Sequence, residues 1–258
     1  GIATVTRQKY LTASEKGPWA NSYDRWRNDN LTNRYQGVQF GYTSAGRYTS
    51  WNDIWNYYGF KERDVLPGDY KYEDWNGDGE INGQDEHPFA FDQTPWLQFS
   101  LNAGLQWKNF DFNMLLQGSA LGSMEYKEPL HEIWGKNGGG ALTQFLDRWH
   151  PVDPKADPYD PSTVWTSGHY AYTGRWAKNN SAFNRVSTAY LRLKSIELGY
   201  TFPKLKQIPN ASLRVYANAY NLLTFTGVKF VDPEHPDDDL GRMYPLNKTY
   251  TLGVSLSF

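Results

Sequence analysis

Tyr250-Thr251-Leu252-Gly253-Val254-Ser255-Leu256-Ser257-Phe258 alternates without a break. Tyr250, Leu252, Val254, Leu256 and Phe258 share one parity, and Thr251, Gly253, Ser255 and Ser257 share the other. A period of two sends successive side chains to opposite faces of an extended chain, so the stretch predicts a strand with one bulky apolar face and one small polar face. The pattern recurs upstream. In residues 97–107, Leu97, Phe99, Leu101, Ala103, Leu105 and Trp107 interleave with Gln98, Ser100, Asn102, Gly104 and Gln106. After the short turn Lys108-Asn109, Phe110, Phe112, Met114 and Leu116 oppose Asp111, Asn113, Leu115 and Gln117. Residues 190–202 change parity between Leu191 and Leu193 on one side and Ile196, Leu198, Tyr200 and Phe202 on the other. A β-bulge near Lys194–Ser195 would restore the register. Beyond the turn Pro203–Asn210, Leu213, Val215, Ala217 and Ala219 oppose Arg214, Tyr216, Asn218 and Tyr220. Val38–Thr43 and Ile2–Leu11 are weaker strand candidates.

Composition narrows what such strands can build. With 39% hydrophobic residues and a mean hydropathy of −0.72, the chain has no apolar run long enough for a membrane helix. Aromatic residues reach 17%, with 11 Trp, 19 Tyr and 13 Phe, as suits either a barrel with interfacial girdles or a carbohydrate-binding protein. A net charge of −2 gives no reason to expect a nucleic-acid partner. The lack of cysteine excludes disulfides and cysteine-based metal or redox sites.

A soluble antiparallel sandwich would also alternate apolar and polar residues. Strands of roughly 10–13 residues, however, match the length a tilted membrane-spanning strand requires. Connections that alternate between short and long add the asymmetry of an outer-membrane barrel. The expectation is therefore all-β: the C-terminal strands of a large antiparallel transmembrane barrel. Lys108-Asn109 and Pro203–Asn210 become periplasmic turns, and residues 46–95, 120–188 and 226–247 extracellular loops. Five clear strands cannot close a barrel of eight or more, so further strands are expected from sequence outside residues 1–258. The N-terminus, Gly1-Ile2-Ala3-Thr4, lacks an initiator Met and a targeting stretch and reads as a fragment boundary.

Specific motifs carry a resemblance. The run Leu66-Pro67-Gly68-Asp69-Tyr70-Lys71-Tyr72-Glu73-Asp74-Trp75-Asn76-Gly77-Asp78-Gly79-Glu80-Ile81-Asn82 resembles a segment of the SusC/RagA-type TonB-linked outer-membrane proteins. Trp107-Lys108-Asn109-Phe110-Asp111-Phe112 with Gln117-Gly118, and Tyr190 to Tyr200 (YLRLKSIELGY), are similar to that family's hairpin and strand motifs. So are Asn221-Leu222-Leu223-Thr224-Phe225-Thr226 and Asp232-Pro233-Glu234; Ser22-Tyr23-Asp24-Arg25-Trp26-Arg27 adds less weight. The resemblance implies a barrel of about 22 strands around an N-terminal plug, in the bacterial outer membrane. It also implies a SusD-like surface lipoprotein as lid, and uptake of glycans or peptides driven by TonB. The chain would form roughly the last quarter, with the plug, the TonB-contacting segment and the remaining barrel supplied elsewhere.

Three sets of residues are candidates for chemistry. Asp74, Asn76, Asp78, Glu80, Asn82 and Asp85 follow the spacing of a calcium loop, with Gly79 at the sharp turn. Position 12 is Asp rather than Glu, and the flanks read as strand or loop. The same run is also what a polar loop of Asn-Gly and Asp-Gly turns looks like. Trp51, Trp55, Tyr57, Tyr58, Trp165, Tyr170, Tyr172 and Trp176 cluster in the long connections. Their rings suit a sugar or a protein partner, or the packing of the loops on one another. Asn102, Gln106, Asp111, Asn113, Arg192, Arg214 and Asn218 fall on the inward face, where they line a path or meet plug and water. His87, His131, His150, His169 and His235 lack metal-ligand spacing, and no nucleophile or phosphate-loop motif is present, so no enzyme is expected. The competing reading is a secreted, soluble glycan-binding or glycan-cleaving β-protein, for which Asp157 and Asp160 would be the acids to consider.

Overall fold

The computed structural model describes residues 1–12, 31–57, 65–127, 130–133, 141–174, 177–178, 180–203, 211–235 and 241–258. One six-stranded sheet dominates. Its strands are β1 (Ile2–Val5), β2 (Leu97–Trp107), β3 (Phe110–Ala120), β4 (Tyr190–Phe202), β5 (Ser212–Thr226) and β6 (Thr249–Ser257). They lie side by side in chain order, each antiparallel to the next.

The register carries the alternation across the whole sheet. Leu105 faces Phe112, Phe112 faces Leu198, Leu198 faces Ala217 and Ala217 faces Leu252. This apolar row is repeated at every second position, and a slip of one residue would invert it. The expected bulge is present: the pairing of β4 with both neighbours shifts between Leu193 and Ser195. The extra residue, Lys194, lets Ile196 return to the apolar face. On β5 the irregularity is matched by Asn221, at φ 53°.

Among the described residues, the bulky side chains of the apolar face stand largely exposed. Leu105 is 66% exposed, Val254 68% and Leu252 84%. In water, a contiguous patch of this kind would cost about 25 cal/mol per Å², and soluble monomers do not carry one of this extent. Lipid removes the cost, so the soluble reading does not account for the sheet.

All long connections leave from one end. Residues 6–96, 121–189 and 227–248 emerge beside Leu97, Ala120, Tyr190 and Thr226, whereas Lys108-Asn109 turns the chain at the other end. Within 6–96 the weaker strand candidates come out differently. Ile2–Leu11 forms a wall strand only over Ile2–Val5, where Thr6 N–H makes one last bond to the Trp96 carbonyl before the polar run Arg7-Gln8-Lys9. In Val38–Thr43, only Gln39–Gly41 is extended, and it pairs with His87–Ala90 away from the sheet. Three residues are too short to cross hydrocarbon, and Tyr42 is held instead to the backbone of Asn180.

The first two connections pack into one layer. Tyr48, Ile54 and Val65 form one small core, and Ile133, Phe145 and Tyr170 another. Leu66-Pro67-Gly68-Asp69 joins the two connections. Gly68 adopts φ 94° and lies so close to Trp149 that a Cβ would sit 2.3 Å from its ring. The buried Asp69 carboxylate accepts from Leu66 N–H at 2.9 Å and from the Thr173 hydroxyl at 2.9 Å.

The absence of native cysteine makes single-cysteine mapping direct. In the membrane-embedded protein, nitroxide labels at Leu252→Cys and Leu105→Cys are expected to collide with oxygen dissolved in lipid. Labels at Thr251→Cys and Gln106→Cys are expected to collide with a water-soluble nickel chelate; equal behaviour at both parities would contradict the lipid-facing assignment.

Candidate functional site

The inward face of the sheet carries two clusters of paired charge, of which the one around Arg192 is buried. Near the short-turn end, Arg214 on β5 donates through Nε to Asp111 Oδ1 at 3.1 Å and through Nη2 to Glu197 Oε1 at 2.6 Å. To reach Asp111 on β3 it must cross β4, and it does so over Gly199. A Cβ there would stand 2.4 Å from Arg214 Nη2 and 2.5 Å from Asp111 Oδ1. Gly199 is thus a requirement of the ion pair. Gly253 serves Tyr216 similarly, with its missing Cβ replaced by the tyrosine ring at 2.2 Å.

At the loop end, Asp232-Pro233-Glu234 folds back onto β4 as a strap. Arg192, only 1% exposed, donates to Asp232 Oδ2 at 2.6 Å, to Glu234 Oε2, and through Nε to the Thr224 hydroxyl at 2.9 Å. Lys194 lies 3.0 Å from Glu234 Oε2, and the Tyr190 hydroxyl donates to Glu234 Oε1 at 3.0 Å. The strap is shaped by Glu234 N–H donating to Asp232 Oδ1 at 2.9 Å. Two cations therefore meet two carboxylates with their polar atoms engaged, which is what burial of charge demands. Sequence reading placed Arg192 on the inward face but did not join it to Asp232 and Glu234. The available signal was two cations, Arg192 and Lys194, on the inward parity of one strand and an Asp-x-Glu in the next long connection.

The inward residues of the sequence reading share this face. Asn113 lies opposite both Gly104 and Glu197, and Asn218 lies between Glu197 and Thr251. Gln106 faces Asp111.

The calcium-like loop is ordered by its own backbone. Asp74 accepts from the amides of Gly77 and Gly79, each at 2.8 Å, and Asn76 accepts from Asp78 N–H at 2.9 Å. Asp78 accepts from Glu80 N–H at 2.8 Å, and Asn82 from Gln84 N–H at 2.7 Å. Asp85 is buried and closes the loop by accepting from Trp75 N–H at 2.9 Å and Asn82 N–H at 2.7 Å. Trp75 stacks on His87 with ring centroids 3.6 Å apart. The six residues thus share one loop, although among the described residues no three Asp, Glu or His side chains converge as a metal-binding group.

The candidate aromatics divide between packing and exposure. Trp51 and Tyr57 pack against the Tyr48, Ile54 and Val65 core. Tyr57 also carries Lys71 over its ring at 4.3 Å. Asp53 caps this corner: burial would raise its carboxyl, but the hydrogen bonds from Lys71 and Thr49 hold it below the usual range. Tyr170 sits edge-on to Phe145 at 4.5 Å, and burial raises its hydroxyl to about 12. Trp165 meets Tyr172 edge-on at 5.4 Å. Trp55 is 65% exposed beside Trp51, which reaches Tyr159 from the other connection at 6.5 Å. Trp176 and Tyr58 lie outside the described residues, as do Ser22–Arg27 and most of the Pro203–Asn210 turn.

Removing Arg192 would leave Asp232 and Glu234 with Lys194 as their remaining cation. Arg192→Ala is expected to cost about 3–5 kcal/mol in denaturant melts of the assembled protein. Arg192→Lys should recover only part, because an ammonium cannot span Asp232, Glu234 and Thr224 together; full recovery would show that the fork geometry is unimportant.

Comparison with known proteins agrees with this architecture. No protein-family model matches the chain. TonB-dependent receptor P3 of Formosa agariphila is 28% identical over 211 residues, covering 76% of this chain and 19% of that protein. TonB-dependent receptor SusC of Bacteroides thetaiotaomicron is 26% identical over 210 residues, covering 80% and 19%. Among solved structures, the RagAB peptide importer in its closed-closed state superposes with a TM-score of 0.54 at 20% identity, over 85% of this chain and 23% of that one. The last likeness shows the fold, and the chain spans about a fifth of the length of the relatives it matches. Wall strands and relatives converge: the chain is an all-β segment that resembles, over most of its length, SusC/RagA-type TonB-dependent proteins of the bacterial outer membrane.

Proposed function

We propose that the protein containing this chain imports glycans or peptides across the outer membrane, using energy delivered by TonB. The observation that carries this reading is the two-sided sheet. Its outward face is continuously apolar, and its inward face is polar with internally neutralised charge, as the wall of a filled or conducting barrel requires. Relatives named TonB-dependent receptors and a structural neighbour named a peptide importer support it. The three long connections then lie outside the cell and the short turns in the periplasm. The layer they build, with Trp55 exposed at its surface, is where a SusD-like surface lipoprotein would dock. TonB would act through parts of the protein outside residues 1–258.

The test is purification of the natural assembly from outer membranes in detergent, with mass spectrometry of the chains that accompany it. A barrel-sized TonB-dependent protein together with a surface lipoprotein is the expected result. Recovery of a folded, detergent-free soluble protein would overturn the reading.

The loop at 74–85 is proposed as a structural calcium site. Asp74, Asn76 and Asp78 have oxygen lone pairs beyond those used by the amides, and Asp85 would act through the backbone it fixes. At ten times Kd, calcium should add about 1.4 kcal/mol of stability. A thermal shift in millimolar calcium that disappears with EGTA and in Asp78→Ala is expected; an unchanged wild-type melting temperature would remove calcium from the account.

A further inference from the structure

The outward face ends, on the short-turn side, in a row of aromatic rings. Trp107, Phe110, Tyr200 and Phe202 share the apolar parity of β2, β3 and β4 there. Trp107 and Phe110 stack with centroids 6.4 Å apart, Phe110 meets Tyr200 at 4.7 Å, and Tyr200 meets Phe202 at 4.9 Å. Trp and Tyr rings, with apolar bodies and polar tips, settle at the level of lipid headgroups.

A cation joins this row. Lys108, at the first turn position, holds its ammonium 5.0 Å from the centroid of the Trp107 ring. Trp107 belongs to the lipid-facing parity, so the charge stands on the outer side of the wall and not in the lumen. Asp111, three residues on, is turned inward to Arg214. Lys108 is exposed, and among the described residues no salt bridge engages it. Its backbone sits at φ 54°, a left-handed conformation that glycine or asparagine adopts with less strain. Turn chemistry alone therefore gives no reason for a lysine. The sequences of the two short turns contain Lys108, Lys204 and Lys206 and no acid, whereas the three long connections hold 20 basic and 26 acidic residues.

We propose that the short-turn end of β2 and β3 docks the headgroup of an anionic phospholipid of the periplasmic leaflet. Lys108 takes the phosphate, and Trp107, Phe110 and Tyr200 seat the glycerol region and the upper part of the chains. A zwitterionic headgroup carries its own ammonium, which offsets the attraction, so the site favours a headgroup of net negative charge. This rests on the lipid-facing reading of the sheet and is independent of cargo.

The test places the photoreactive residue p-benzoylphenylalanine at Phe112 in the complete assembly. That position lies deeper on the same face, opposite Leu105 and Leu198. The assembly is embedded in nanodiscs of equal phosphatidylglycerol and phosphatidylethanolamine with identical acyl chains. After irradiation, mass spectrometry counts the two lipids attached to the peptide containing residue 112. Phosphatidylglycerol should be enriched about fivefold, which corresponds to about 1 kcal/mol for one lysine at a membrane surface. Lys108→Gln should abolish the enrichment and Lys108→Arg should keep it. The same probe at Phe225, exposed at the loop end, should respond to neither substitution. Equal yields of the two lipids in wild type, or an enrichment that survives Lys108→Gln, would overturn the proposal while leaving the sheet in lipid. The absence of any lipid adduct at Phe112 would defeat the lipid-facing reading as well.

Discussion

Every backbone amide and carbonyl at the depth of hydrocarbon must be paired within protein, and the sheet is organised by that requirement. No water is available there to replace a lost bond, so extended chain survives only as part of a continuous ladder. β3 and β4 are paired along both sides by long strands, with the β4 bulge absorbing one extra residue without breaking the ladder, whereas β2 is covered on its other side by β1 only over Leu97–Ser100. Among the described residues, β1 and β6 each have one partner. In a membrane their outer edges need further strands, which fits a segment spanning about a fifth of its relatives.

A second constraint comes from charge. The inward face holds Arg192 and Arg214, and each finds two carboxylates: Asp232 and Glu234 of one strap for Arg192, and Asp111 and Glu197 of two different strands for Arg214. The two solutions differ in mechanism. Arg214 works within the wall and depends on the missing side chain of Gly199 to cross a strand. Arg192 recruits the Asp232–Glu234 strap, so the same pairing that neutralises a buried guanidinium fixes a long connection at the barrel mouth. Structure of the wall and shape of the mouth are thereby coupled through β4.

The sequence displays the wall far better than the mouth. Period-two alternation is a local property, so β2 to β6, their faces and even the bulge at Lys194–Ser195 could be read from consecutive residues. The loop layer depends on contacts between distant positions, such as Gly68 against Trp149 and Asp69 with Thr173, and no local period announces them. Gln39–Gly41 shows the limit: its composition suits a strand, but its partner is His87–Ala90 in the loop layer and not the wall. The run at 74–85 was legible as a polar loop with calcium-type spacing, whereas the capture of its own amides by Asp74 and Asp85 is a matter of three-dimensional closure. Arg192 could be assigned to the inward face, yet its partners lie 40 and 42 residues away.

The central claim is that these six strands form part of a closed barrel wall with Leu105, Leu198 and Leu252 toward lipid. An electron cryomicroscopy reconstruction of the natural assembly in lipid nanodiscs tests it most directly. The account predicts β1 to β6 in chain order within a closed barrel, another strand beside each of β1 and β6, and lipid density against the apolar face. A map in which the sheet ends free at either edge, or in which that face packs on protein instead of lipid, would contradict it.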